Sequence, residues 1–223
     1  MLFDIAISIF AQFRMRQNIE PAWTFGGGTA LMLQIDHRES HDIDLFLHES
    51  QSSFLPYLNP ETQGFVLTQL PDDYAETAGT LKLAYKDIGE IDFICCANIL
   101  ENPAHLKTVR GRAVRMETPA EIIAKKIYYR GGSIQTRDMF DLAAVIHTYG
   151  IDYAAMALKQ CGRERLQKAR ASINSWPPEI VAAANSQLMV RGRARALIKD
   201  SQSLSSAAIE KALASLTPPQ KTD

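Results

Sequence analysis

The chain has 223 residues, 46% hydrophobic and 22% charged, which fits a folded protein of one large domain or two small ones. No apolar run reaches the roughly eighteen residues a membrane helix needs, and the three cysteines, Cys95, Cys96 and Cys161, form neither a C-x-x-C zinc pair nor a disulfide framework, as expected of a protein in a reducing cytoplasm. The net charge of −1 hides a polarity: residues 1–104 carry −10, residues 105–170 carry +7 and residues 171–223 carry +2. That partition suits a site with metal on one wall and a polyanion on the other, or two lobes that attract each other.

The opening MLFDIAISIFAQFRMRQ has its acid early and its bases late, the wrong order for a signal peptide. Phe3, Ile7, Phe10 and Phe13 recur at helical spacing, which predicts an amphipathic helix. Residues 22–25 predict a short strand that runs into Gly26, Gly27 and Gly28. Residues 30–35 favour helix, with Thr29 placed to cap it. After the polar turn at 36–40, Ile43, Leu45 and Leu47 alternate with Asp42, Asp44 and Phe46, as in a strand. Residues 65–67, 81–85 and 90–94 predict further strands. Thr118-Pro119-Ala120-Glu121 has the signature of a helix start: hydroxyl cap, proline at the first position, glutamate three after the cap. Gly131-Gly132 ends that helix, and residues 137–149 predict the next, closed by Gly150. The alanine-rich remainder reads as helical, broken once at Trp176-Pro177-Pro178. Strands and helices alternating to about residue 117, with helices after, give an α+β protein. The expected division is a sheet-bearing core over 1–117, a helical lobe over 118–217 and a flexible tail over 218–223.

Three glycines before a helix let backbone amides approach a phosphate. They serve equally as a tight strand-to-helix turn. Neither the G-K-[ST] ending nor the G-x-G-x-x-G spacing is present, so an ATPase-type phosphate loop and a dinucleotide fold are unsupported. Asp42 and Asp44 stand two apart on a predicted strand and share a face. Hard carboxylate oxygens suit Mg²⁺ or Mn²⁺, although an exposed acidic strand edge has the same pattern. Asp92 sits in the apolar Ile91-Asp92-Phe93-Ile94, where an unpaired buried charge is costly; either a shared metal gives it a reason to be there, or it lies at an exposed strand end beside Gly89. His37, His41 and His48 crowd the same region without a zinc spacing.

Taken together, FGGGTALMLQIDHRESHDIDLFL resembles the signature of the AbiEii/AbiGii toxin family of the nucleotidyltransferase superfamily. The matching positions are Gly27, Gly28, Thr29, Arg38, Ser40, Asp42, Ile43, Asp44, Leu45 and Phe46. A lysine-bearing helix over 121–127 and Arg137-Asp138-Met139-Phe140-Asp141-Leu142 extend the likeness, which covers residues 23–145. The resemblance implies a minimal nucleotidyltransferase fold with a helical C-terminal lobe. It implies metal-dependent transfer of a nucleoside monophosphate from an NTP to an acceptor, tRNA in several relatives. It also implies the toxin of a type IV-like toxin–antitoxin system, restrained by a cognate antitoxin protein.

On the 119–130 helix, Ala120, Ile123, Ala124 and Ile127 form the apolar stripe. Lys125 falls opposite it and is expected in solvent. Lys126 falls at its border, with Arg130 one turn on. The family pattern also selects Lys126. Lys126 is therefore the expected triphosphate-binding lysine, with Arg130 in support. Asp138 and Asp141 share a helix face, and two roles stand open: favouring the helix N-terminus, or orienting Lys126 or the nucleotide. Arg38 is expected either to grip phosphate or to brace its turn through Asp36 or Asp42. The expected catalytic set is Asp42, Asp44, Asp92, Lys126 and Asp138. The expected nucleotide-binding set is Gly27, Gly28, Thr29, Arg38, Lys126, Arg130 and Asp141, and the metal ligands are Asp42, Asp44 and Asp92. Two other functions fit the same residues: transfer to a small molecule such as an aminoglycoside, and a binding protein that kept the fold without turnover. The basic run Lys107–Arg115 (KTVRGRAVR) leans toward a nucleic acid acceptor.

Overall fold

The computed structural model describes residues 1–216, so the tail expected over 218–223 lies outside the described residues. The chain forms two compact units. The first comprises residues 1–30, 40–98 and 104–117, and the second residues 31–39, 99–103 and everything from Thr118 on.

The first unit is a seven-stranded mixed sheet. In chain order its strands are β1 (Trp23–Gly26), β2 (Ile43–Leu47), β3 (Asp73–Glu76), β4 (Thr80–Tyr85), β5 (Gly89–Cys95), β6 (Ala104–Val109) and β7 (Arg112–Glu117). In space they run β3-β4-β5-β2-β1-β7-β6. β2 pairs in parallel with β5 and β1 with β7, while the other neighbours are antiparallel. Alternation sorts β2 cleanly: Ile43, Leu45 and Leu47 are buried, and Asp44 turns to the opposite face. Asp42 lies just before the strand rather than within it.

Helix α1 (Leu2–Gln17) covers the apolar face of the sheet. Phe3 meets Phe25 at 5.5 Å between ring centroids, and Phe10 lies between Trp23 (5.0 Å) and Phe93 (5.3 Å). The buried stripe is Leu2, Phe3, Ile5, Ala6, Ile9, Phe10 and Phe13. Ile7, expected within it, is only half-buried, while Ile9 is fully buried. A short 3-10 turn over 49–54 and two one-turn helices, α3 (Leu55–Leu58) and α4 (Pro60–Gln63), follow β2.

The strand expected at 65–67 does not form. Phe65 is buried and Val66 is 85% exposed. The amide of Gln12 accepts from the Val66 N–H and donates to its carbonyl, both at 2.9 Å, so a side chain supplies what a neighbouring strand would have supplied. Conversely, β3, β6 and β7 escaped the sequence reading. The basic run spans the end of β6 and the start of β7, which join at Arg110 (φ 50°) and Gly111 (φ 78°). Two successive positive φ angles make the tight turn that matches strand twist.

The second unit is helical: α5 (Pro119–Arg130), α6 (Thr136–Tyr149), α7 (Ile151–Lys159), α8 (Gly162–Asn174), α9 (Pro178–Ser186) and α10 (Ser201–Ala214). Helix α2 (Gly27–Ile35) begins in the first unit, and its residues from Leu31 on belong to the second. α10 lies against α6, α7 and α8, its small residues allowing close approach. Ser205 is fully buried and donates to the carbonyls of Met139 (3.0 Å) and Ser201 (2.7 Å). Phe140, Ala144, Val190, Ala194 and Leu197 form a core cluster beside Ile35.

The start of α5 departs from the expected pattern in one respect. Thr118 accepts the Glu121 N–H at 3.1 Å, as its sequence predicts. The Glu121 carboxylate does not turn back on the cap. It accepts the N–H groups of Ile99 and Leu100, both at 2.9 Å, and is fully buried. That buried anion explains a second departure. Lys125, expected in solvent, is 4% exposed, with its Nζ 3.7 Å from Glu121. Helical periodicity places Lys125 opposite the apolar stripe but cannot know that Ile99 and Leu100 bring their N–H groups to Glu121 and that Lys125 is buried beside that carboxylate.

Candidate active site

In the first unit two of the expected site residues, Asp44 and Asp92, lie in one row across the sheet. Register places Lys82 (β4), Asp92 (β5), Asp44 (β2) and Gly26 (β1) side by side. Residues paired across strands project to the same face, so Lys82, Asp92 and Asp44 stand together on the face away from α1. Asp42 lies two residues before Asp44, and its Oδ1 accepts the Glu90 N–H at 3.0 Å.

The glycine turn closes over this row. Gly27 has φ 68°, where a side chain is strained, and a Cβ there would overlap the carboxylate of Asp44. A Cβ on Gly26 would overlap Glu117 and the ring of Phe46. Glu117 is fully buried and accepts from Thr24 Oγ1 at 2.8 Å. Thr29, expected as a helix cap, sits inside the first turn because α2 starts at Gly27. Its hydroxyl donates to the Asp42 carbonyl at 2.5 Å and so ties the turn to the acidic segment. Gly27→Ala is expected to cost about 1–3 kcal/mol of stability through backbone strain and to displace Asp44. Thermal melts and transfer assays check this, and a variant with wild-type values in both would remove the close-approach role.

The field in the row is negative. Asp92 is half-buried; burial pushes its carboxyl above the usual range, the Lys82 ammonium opposes the rise, and Glu90 and Asp42 add to it. Lys82 lies 3.5 Å from Asp92 Oδ2 and also pairs with Glu90. The apolar-polar alternation of Leu81-Lys82-Leu83 already put Lys82 on the polar face. Its register opposite Asp92 is not visible in the sequence.

In the second unit a separate ionic cluster centres on Asp141, fully buried on α6. Its Oδ1 accepts from His37 Nε2 (2.9 Å) and Arg38 Nε (2.7 Å), and its Oδ2 from Arg38 Nη2 (3.0 Å). Lys126 Nζ lies 2.8 Å from Asp141 and 2.5 Å from Asp138, and Arg130 lies 3.6 Å from Asp138. Burial alone would raise the Asp141 carboxyl. The charges of Lys126 and Arg38, with the hydrogen bonds from His37 and Arg38, hold it well below the usual range. Burial alone would lower the Lys126 ammonium, but Asp141 and Asp138 outweigh it and raise it.

These contacts bear on the alternatives left open for Arg38 and Asp138. The Arg38 fork is laid on Asp141 in two-pronged fashion, not on Asp36 or Asp42, and Asp36 pairs with Arg191 at 2.8 Å. Asp138 does two things at once: Oδ2 accepts the Gln135 N–H at the start of α6 (3.3 Å), and Oδ1 holds Lys126. His37 was passed over in the sequence because its spacing fits no metal motif; its value lies in a partner 104 residues away.

The three cysteines form no disulfide among the described residues, and burial pushes Cys161 to about 12 and Cys95 to about 11, so neither is a ready nucleophile. Among the described residues no helix is long and apolar enough to cross a membrane.

Residues 9–215 match the family described as nucleotidyl transferase AbiEii toxin, type IV TA system. The mixed sheet with its flanking helices is thus a nucleotidyltransferase fold, and the protein is of the class that transfers nucleotidyl groups. Within that class, the chain belongs to the AbiEii family. Among solved structures it is similar to ANT(2")-Ia in complex with adenylyl-2"-tobramycin, at 16% identity and a TM-score of 0.45, over 70% of this chain and 94% of that one. It is also similar to an antigenic nucleotidyltransferase-like protein from Paracoccidioides brasiliensis, at 12% identity and a TM-score of 0.39, over 77% and 86% of the two chains. Both likenesses are remote, and the assignment rests on the family match. No curated protein sequence matches the chain.

Proposed function

We propose that the protein transfers a nucleoside monophosphate from an NTP to tRNA, using a divalent metal, Mg²⁺ or Mn²⁺, as the toxin of a pair whose partner is an antitoxin protein. The observation that carries the chemistry is the row of Asp92 and Asp44 in register beside a glycine turn with no room for a Cβ.

The residues fit a hard cation. Among the described residues, no three His, Cys, Asp or Glu side chains are grouped closely enough to hold an ion unaided. Mg²⁺ is usually held by one or two carboxylates, with substrate phosphates and waters completing its shell. Asp44, Asp42 and Asp92 are the residues assigned to hold it. When bound, the ion supplies positive charge to the triphosphate and to the departing pyrophosphate.

The chain's own residues have distinct tasks. Gly27 and Gly28 bring backbone close to the phosphates, and Thr29 fixes the turn against Asp42. The acceptor hydroxyl oxygen forms a bond to the α-phosphorus as the bond to the β-phosphate bridging oxygen breaks. The electron pair leaves with pyrophosphate, and the hydroxyl proton is assigned to Asp92, the half-buried carboxylate in register beside Asp44. Lys126, with Arg130, is assigned to neutralise phosphate charge. Asp138 and Asp141 orient Lys126, and the Arg38 fork fixes Asp141, so Arg38 acts through Asp141 as a positioning residue in this reading.

The tRNA assignment is supported by the β6–β7 hairpin, where Lys107, Arg110, Arg112 and Arg115 are all exposed. Incubation with labelled NTPs, Mg²⁺ and total tRNA is expected to label tRNA. Affinity is expected to fall steeply with salt, by a log–log slope of about −0.7 to −0.9 per phosphate contacted. Labelling of small acceptors with a flat salt response would replace tRNA by a small molecule. No transfer to either would refute the catalytic reading.

A further inference from the structure

Lys82 is the charged member of the row that the proposed chemistry does not use. It stands next to Asp92 across the β4–β5 ladder, with its Nζ 3.5 Å from Asp92 Oδ2 and paired more closely with Glu90. Its side chain is 41% exposed, so the flexible stem can move without disturbing the core. Asp92 is the more enclosed partner, at 19% exposed. A cation next to a metal-binding carboxylate has two opposed effects. It neutralises carboxylates that repel each other when no metal is bound, and it weakens their hold on an incoming ion.

We propose that Lys82 is a resident counter-cation of the carboxylate row: its ammonium occupies Asp92 and Glu90 while the metal is away and gives up Asp92 when the metal arrives. This rests on the reading of Asp42, Asp44 and Asp92 as metal ligands. It assigns Lys82 a role in setting metal affinity rather than in contacting substrate. The exchange is between cations, so a protein that carries no ion keeps an ordered, neutralised row, and the metal must compete for it. A lysine that merely decorates the sheet surface would make no such difference to the ion.

The test is Mn²⁺ binding to the full chain by calorimetry, first without nucleotide and then with a saturating non-hydrolysable NTP analogue to supply the phosphate ligands, for the wild type, Lys82→Gln and Lys82→Arg. Removing the charge is expected to tighten Mn²⁺ binding by about three- to tenfold at low salt, with the gain shrinking as salt rises. Lys82→Arg, which keeps the charge, is expected to bind as the wild type does. In EDTA the glutamine variant is expected to melt below the wild type, and saturating Mn²⁺ is expected to close that gap. Unchanged or weaker binding by Lys82→Gln, with the wild type binding normally, overturns the counter-cation role and leaves the metal reading standing. No Mn²⁺ binding by any of the three proteins overturns both. Should Lys82→Gln not fold, Lys82→Thr, which suits a strand, gives the same readout.

Discussion

Asp44→Asn is expected to lower nucleotidyl transfer by about 10³-fold, the effect of losing several kcal/mol of charge stabilisation at the transferred phosphorus. The expectation comes from position. Asp44 pairs in register with both Gly26 and Asp92, and its carboxylate fills the space where a Gly27 side chain would be. The isosteric amide keeps the volume and removes the charge, so the fold is expected to survive. It also relieves repulsion between adjacent carboxylates, so the melting temperature is expected to stay the same or rise. Lost activity with retained stability is the signature of a group kept for chemistry. The measurement is label transfer from NTP alongside thermal melts. A variant within tenfold of the wild type would remove Asp44 from the mechanism, and one that loses activity because it unfolds would make the residue structural.

Asp141→Asn is expected to have the largest effect on stability, about 3–5 kcal/mol, because removing one member of a buried ionic cluster leaves the others uncompensated. The amide oxygen can keep the donors of one side only, either His37 Nε2 with Arg38 Nε or Arg38 Nη2 with Lys126 Nζ, while its NH₂ faces the other pair and repels it. Urea unfolding of the two proteins measures this. A loss under about 1 kcal/mol would mean that the cluster is loosely held and solvated.

The pH dependence follows from the same carboxyl. Its folded pKa lies below the unfolded value of about 3.9, so the unfolded chain binds more protons as acid is added. The stabilisation from Asp141 is therefore fully present above about pH 4 and is lost as pH falls through the folded value. The wild type is expected to lose stability steeply on that acid limb, and Asp141→Asn is expected to show a shallower one. Parallel limbs in the two proteins would assign the acid sensitivity to other carboxylates.

Local chemistry made much of this protein legible in its sequence. The alternation of Ile43, Leu45 and Leu47 specified a strand with Asp44 on its polar face, because a period of two admits no other arrangement. The Thr118-Pro119 start and the Gly150 end of their helices were written in residues that satisfy or excuse backbone groups. The order of glycine turn, paired aspartates, lysine helix and Arg-Asp-x-x-Asp pointed to the AbiEii family, and residues 9–215 match it.

What only the tertiary structure decided are the partnerships between residues far apart in the chain. Strand register set Asp92 against Asp44, and no local pattern encodes register between strands separated by dozens of residues, whereas Lys82 meets Asp92 across the short β4–β5 hairpin. Helical periodicity sent Lys125 to solvent, but Ile99 and Leu100 bring their N–H groups to Glu121, and Lys125 is buried beside that carboxylate. Val66 lost its strand to the amide of Gln12, and the basic run became a hairpin through the positive φ angles of Arg110 and Gly111. Asp141 illustrates the division most plainly. Its place in a motif was visible, but its role as the anchor of His37, Arg38 and Lys126 exists only once the fold brings three donors onto one carboxylate, since desolvation makes such a charge intolerable unless all of them arrive together.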